Sequence, residues 1–230
     1  MENQNINFVQ IGSNDGFSND PIHDYITKYN WRGVLVEPVN MLYQKLKNTY
    51  SKNSNLVIVK YAIGVQEGEL DIYRIDEKYF DDLPNWFFQL ASLKKEVILS
   101  HSKFDSRIKD LIVCEKVKVI SINKLLSTYG FENINLLHLD TEGYDFEILN
   151  SFDFKAYHPD IILFEHKHLS LSELSIICNK IESNRYILFS TKFDTICLSL
   201  KLKNATFNLK KLPFYYKSFI YTPLSSSYSF

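Results

Sequence analysis

The stretch FVQIGSNDG, Phe8 to Gly16, decides the fold. A short apolar run passes straight into Gly-Ser-Asn-Asp-Gly, the pattern of a buried strand that stops at a tight turn. Three things stop a first strand this way: an ordinary β-to-α turn, a dinucleotide site, or a site for another adenosine-containing cofactor. Glycine is scarce, 7 in 230 residues. Two of them in one turn, Gly12 and Gly16, therefore point to a backbone demand there.

Outward from this turn, strand-length apolar runs alternate with segments of helical period. Asp20 and Pro21 read as an N-cap followed by proline at the first helical position, with Ile22, Tyr25, Ile26 and Tyr29 at helical spacing. Residues 34–36 form a second strand that stops at Glu37-Pro38. Leu42, Leu46 and Tyr50 mark a second helix, and residues 56–59 a third strand. Residues 69–74 and 113–120 alternate polar and apolar, as antiparallel strands do. Between them, about 76–110 is a mixed segment longer than ordinary loops and reads as an inserted lid. Regular alternation returns with a strand at 134–139, a helix at 143–152, a strand at 161–164 and a helix at 171–181. Two closing strands follow at 186–190 and 195–200. The expectation is one α/β domain over 1–230, a mostly parallel sheet with helices on both faces, and an aromatic tail from about 203.

Bulk composition excludes several classes. The hydrophobic fraction of 45% is that of a globular chain rather than a disordered one. A formal net charge of -1 gives no reason to expect nucleic acid as partner. No apolar run approaches the roughly 20 residues that span a bilayer. Residues 1–7 are polar rather than a leader, and Cys114, Cys178 and Cys197 form no CxxC pair. These features set the expectation of a cytoplasmic protein with buried thiols.

In an open parallel sheet, ligands bind beyond the carboxyl ends of the strands. The residues there are 12–16, Glu37, 62–64, 140–143 and Glu165-His166, and four of the five sets carry an acid. Glu37 closes the second strand, where a carboxylate can accept both hydroxyls of a ribose. The turn lacks the middle glycine that brings backbone close to a pyrophosphate. Asn14 stands there, and Asp15 beside it would repel phosphates. An acid-bearing turn suits a cofactor with an adenosine end, no phosphates and a cationic amino-acid end, which describes S-adenosylmethionine. An NAD-dependent oxidoreductase and a non-catalytic S-adenosylmethionine-binding module are the alternatives.

FVQIGSNDG, GVLVEP, VKYAIG, INLLHLDTEGYDFEIL and IILFEH occur in an order and spacing that resemble the FkbM-type methyltransferases, over residues 7–166. The resemblance implies a class I methyltransferase-like Rossmann fold, with a mostly parallel seven-stranded sheet whose last strand is antiparallel. It implies S-adenosylmethionine as cofactor and methylation of hydroxyls on sugars, polysaccharides or related products. The acceptor expected is a nucleotide-sugar or a surface-glycan precursor. Carried over by position, Gly12, Ser13, Asn14, Asp15 and Gly16 would hold the methionine end. Glu37, fixed by Pro38, would hold the ribose, and Ala62 and Ile63 would lie along the adenine. Asp140, Thr141 and Glu142 would lie beside the sulfonium. Two positions depart from the pattern. Gln10 replaces a common acid, and His138 replaces a common lysine whose role it could share.

Methyl transfer to a hydroxyl needs alignment and removal of a proton. Two expectations follow for the strand tips. Either His166 is the base with Asp140 orienting it or the acceptor, or Asp140, Glu165 and His166 hold a divalent cation, magnesium or manganese, that acidifies the hydroxyl. Lys94, Lys95 and Arg107 could grip acceptor phosphates, and Trp86 could stack on a sugar or base. His101, Lys167 and His168 have no role in this reading. The tail after Phe207 could cover a second subunit in a homodimer.

Overall fold

The structure, a computed structural model, describes residues 6–204. The tail expected to cover a partner therefore lies mostly outside the described residues. The chain opens with β1 (Asn7–Ile11), α1 (His23–Tyr29), β2 (Arg32–Val36), α2 (Asn40–Thr49) and β3 (Leu56–Val59). After the short β4 (Ala62–Ile63), the long β5 (Gly68–Ile75) leads into two 3-10 turns, Glu77–Asp82 and Asn85–Gln89. Then come β6 (Ala91–Ser92), α3 (Lys95–Ser100), α4 (Ile108–Leu111) and β7 (Ile112–Ile120). The chain continues through α5 (Ile122–Tyr129), β8 (Leu136–Leu139), α6 (Asp145–Ser151), β9 (Ile161–Glu165) and α7 (Leu171–Ser183). It closes with β10 (Tyr186–Ser190) and β11 (Asp194–Ser199).

Seven strands form one sheet in the order β10-β11-β9-β8-β1-β2-β3. Neighbours are parallel except β11, which runs against both β9 and β10. Strand alternation divides the core between the two faces. Val9, Ile11, Leu137, Leu139, Ile162 and Phe164 pack with α5, α6 and α7, while Phe8, Leu35, Leu136 and Leu163 pack with α1 and α2. The central strands are apolar on both faces because helices cover both. Since β1 lies between β2 and β8, the strand order reverses there and opens a crevice at their carboxyl ends.

The inserted segment completes a second sheet of order β4-β7-β5-β6. It carries its own core of Ile75, Leu83, Phe87, Leu90, Ile98, Ile108 and Leu111. A second small cluster, including Val39, Leu42, Ala62, Ile72 and Val119, fastens that sheet to α2.

Two expectations are corrected. Helix α1 starts at His23 rather than at Pro21, because the Asp20 carboxylate turns inward and accepts from Gln10 Nε2 at 3.2 Å and from the Ile22 N–H at 2.9 Å. Of the thiols, Cys178 and Cys197 are buried but Cys114, on β7, is exposed. No helix among the described residues is long and apolar enough to cross a membrane. Leu35, fully buried in β2, tests the central packing. Leu35→Ala is expected to cost about 2–5 kcal/mol in urea unfolding.

Candidate active site

The turn after β1 is built by backbone. The N–H groups of Gly12 and Ser13 both donate to Val36 O at 3.0 Å, and the Asp140 N–H donates to Ile11 O at 2.9 Å. These bonds draw the tips of β1, β2 and β8 together. A Cβ at Gly12 (φ +81) would lie 1.8 Å from the Asp140 carbonyl oxygen, so only glycine fits. Ser13 is fully buried, and its hydroxyl donates to Gln10 O and accepts from the Val36 N–H, each at 3.1 Å. Asp15 folds back on its own loop, accepting from the Phe17 and Ser18 N–H groups and from the Ser18 hydroxyl. Gly16 packs against Leu46 and Tyr50. These three shape the turn and are not among the residues that line the cleft beside it.

That cleft is open to solvent on one side. Gly12, Asn14, Glu37, Pro38, Ala62 and Ile63 line one part, and Asp140, Thr141, Glu142 and Tyr144 another. Gln89, Ala91, Ser92 and Leu93 of the insert also line it, which sequence reasoning did not foresee. Gln89 donates to Ser18 O at 2.6 Å and accepts from Asn19 Nδ2 at 2.9 Å, while the Ser92 hydroxyl donates to Glu142 O at 2.6 Å. The insert is thereby tied across the cleft.

Glu37 is buried, 3% exposed. Its oxygens accept one backbone N–H each, from Asn14 at 2.9 Å and Val39 at 2.8 Å. Burial pushes its carboxyl up to about 7, against the pull of those two bonds. Near it, Asn14 Oδ1 is buried with no hydrogen-bond partner.

Acids gather at the tips of β8 and β9. Burial, reinforced by Glu142 and Asp145, raises the Asp140 carboxyl well above the usual carboxylate range. Burial likewise raises Glu165, with Glu142 and Asp140 adding to it and Lys167 opposing. Glu142 is the exception. Burial would raise it, but the His168 hydrogen bond and the Lys167 charge outweigh burial and hold it below its ordinary value. His168 Nε2 lies 2.9 Å from Glu142 Oε2. Lys167 Nζ lies 2.6 Å from Glu165 Oε1 and 3.4 Å from Glu142 Oε2. Among the described residues, Glu142, Glu165 and His168 form the group with metal-ligand spacing, their donor atoms all within 4.8 Å of one another.

The two histidines singled out by sequence lie elsewhere. His166 follows Glu165 in extended chain and so faces the other way. Its N–H donates to Phe193 O at 2.7 Å, and its Nδ1 meets the Thr195 hydroxyl at 3.0 Å. Thus the expected set of Asp140, Glu165 and His166 gives way to Glu142, Glu165 and His168. His138 is buried in β8, in register with Gln10 on the face covered by α1. Burial lowers its imidazole to about 4, which keeps it neutral, and its Nδ1 has no hydrogen-bond partner. The cations expected to grip phosphates are engaged elsewhere. Lys94 pairs with Glu147 at 2.9 Å, Arg107 with Asp105 at 2.6 Å, and Lys95 lies over the Tyr73 ring. Trp86 stacks on Phe87 at 3.9 Å and keeps 38% of its surface exposed.

A seven-stranded sheet with one reversed strand, a glycine turn after β1 and an acid closing β2 define the class I methyltransferase-like α/β architecture. Residues 10–204 match the methyltransferase FkbM domain, and the chain belongs to that family of S-adenosylmethionine-dependent methyltransferases. A search of curated proteins returns no match. The structure is similar to that of methyltransferase FkbM from Methylobacillus flagellatus KT, with a TM-score of 0.51 at 15% identity. The match covers 84% of this chain and 43% of that one, so this chain spans less than half the length of that relative. A precorrin-6y C5,15-methyltransferase from Geobacter metallireducens GS-15 aligns at TM-score 0.39 and 10% identity, over 85% of this chain and 81% of its own. The Methanococcus jannaschii fibrillarin pre-rRNA processing protein aligns at 0.42 and 7%, over 85% and 66%.

One buried acid behind the cleft gives a stability test. Asp145 is fully buried, accepts from the Thr141 hydroxyl at 2.7 Å, and is raised by burial from 3.8 to about 6. Its folded-state value lies above its unfolded one. The stability it contributes is therefore complete below pH 3.8 and is lost as pH rises through about 6. Asp145→Asn is expected to remove that share of the pH dependence of urea unfolding within the same window.

Proposed function

We propose that the protein is an S-adenosylmethionine-dependent O-methyltransferase acting on a sugar hydroxyl of a nucleotide-sugar or surface-glycan precursor. The observation that carries this reading is the cleft that brings Glu37, the buried carboxylate beside the glycine turn, together with Asp140 and Glu142 at the β8 tip, Glu142 being paired with the His168 imidazole from beyond β9. The residues fit such a cofactor. Glu37 holds each oxygen to a single backbone N–H, which leaves lone pairs for a ribose diol. Ala62 and Ile63 offer an apolar wall for an adenine. Asp140 lines the same cleft, on the side where a positive charge would rest.

When bound, the cofactor supplies a methyl group already activated on sulfur. What remains for this chain is to align the acceptor, exclude water and take the hydroxyl proton. Glu142 accepts from His168 Nε2, which fixes the tautomer and leaves Nδ1 as the basic nitrogen. His168 is therefore assigned as the base in place of His166, with Glu142 as its orienting partner. The insert, tied down through Gln89 and Ser92, closes the cleft against water.

Incubation with labelled S-adenosylmethionine and a panel of nucleotide-sugars and glycans tests the reading. Transfer is expected in wild type and to fall by ~10²- to 10⁴-fold in His168→Gln, while His166→Gln keeps most of it. Full activity in His168→Gln removes that assignment. Cofactor affinity carries a pH signature as well. A diol needs the ionised form of Glu37, so calorimetric binding of S-adenosylhomocysteine is expected to strengthen as pH rises through about 7. Glu37→Gln is expected to weaken binding and flatten that dependence.

A further inference from the structure

We propose that Lys167 is a built-in cation, its ammonium holding the place among Glu142, Glu165 and His168 that a divalent ion would otherwise take. This inference rests on the methyl-transfer reading above, because it concerns the charge beside the acceptor hydroxyl. The three donors come from the tips of β8 and β9, and their ligand atoms lie within 4.8 Å of one another. That is close to the span of oxygens around one magnesium or manganese ion, with metal–oxygen distances of about 2.1 Å.

The centre of this group is already spoken for. Lys167 Nζ makes a 2.6 Å contact with Glu165 Oε1 and a 3.4 Å contact with Glu142 Oε2. His168 Nε2 meets that same Glu142 oxygen at 2.9 Å. A metal ion would have to displace the ammonium from both carboxylates. It would also need a lone pair on His168 Nε2, where the present contact requires an N–H donor. Three favourable contacts would be lost for the three coordination bonds gained, and the displaced ammonium would be left as a like charge beside the ion, so the resident side chains outcompete it. Local chain geometry keeps Lys167 in place. The turn from β9 closes with the Leu169 N–H donating to His166 O at 3.0 Å, and Ser170 then caps α7 through a reciprocal bond with Glu173.

The remaining acceptor at this centre is Glu165 Oε2, buried and without a hydrogen-bond partner. His168 Nε2 stands 3.6 Å from it, beyond hydrogen-bond range. Glu142 lines the cleft, and an acceptor hydroxyl that reached this centre past it would find that oxygen as a partner and a fixed ammonium to stabilise the charge that grows on its own oxygen. Lys167 is thus a positioning residue that supplies, as part of the chain, the electrostatic service a metal performs elsewhere.

Manganese titrations followed by electron paramagnetic resonance test the proposal on wild type and on Lys167→Met, with Lys167→Gln as a second variant should the first fold poorly. Wild type is expected to take up no manganese at millimolar concentration. Both variants, freed of the ammonium, are expected to bind one ion at least about tenfold more tightly than wild type. Adding Glu165→Gln to either variant is expected to abolish that uptake. Stoichiometric uptake by wild type overturns the proposal, and so does a folded Lys167 variant that gains no manganese affinity. S-adenosylhomocysteine calorimetry on the same samples separates the two readings. No binding by wild type sinks the methyltransferase function, whereas the manganese result bears only on Lys167.

Discussion

The approach of two parallel strands at their carboxyl ends governs this molecule. Gly12 stands so close to the Asp140 carbonyl that any side chain would enter that oxygen. The Gly12 and Ser13 N–H groups share one carbonyl of β2, and the buried Ser13 hydroxyl returns a bond to the same residue. Three strand tips are thereby locked into one rim. The carboxyls of Glu37 and Asp140 are carried on that rim, and neither position is set by a flexible loop. A site built on strand ends keeps its geometry because the sheet core must be disturbed before the site can move.

The charge balance of the rim follows from the same crowding. Asp140, Glu142 and Glu165 are brought together out of water, where mutual repulsion and desolvation act in one direction. Lys167 and His168 oppose both, and both converge on Glu142, the one acid of the three held below its ordinary value. The cluster is thus polarised rather than uniformly acidic. A carboxylate paired with imidazole sits beside two carboxyls that burial pushes upward, one of them, Glu165, countered by the Lys167 ammonium.

Much of this architecture was legible in the sequence. The strands at 8–11, 34–36 and 161–164 are apolar runs with punctuated ends, and their burial on both faces is why they read as continuous rather than alternating, while the run at 56–59 is the edge strand and leaves Val57 exposed. The glycine turn, Glu37 and the acids at 140–142 announced themselves by following those runs. What was not legible is the direction of side chains once a strand has ended. Glu165, His166, Lys167 and His168 are consecutive, and which of them face the cleft depends on a turn that periodicity does not encode. The lid residues escaped for a related reason. Gln89 lies in a 3-10 segment with no helical or strand repeat, and its partners Ser18 and Asn19 are about 70 positions away. The inward turn of Asp20 was hidden because its partner, Gln10, sits on a neighbouring element.

The lid has a core of its own, separate from that of the main sheet. It meets the rim through the apolar cluster in which Phe88, Ala91 and Leu93 pack against Val39, Leu42 and Ala62, and through a few short polar bonds. Gln89 and Ser92 tie the insert to Ser18, Asn19 and Glu142 on the far side of the cleft. Under the proposed methyl transfer, a substitution at Gln89, remote from the reacting atoms, would loosen that tie and with it the wall of the cleft.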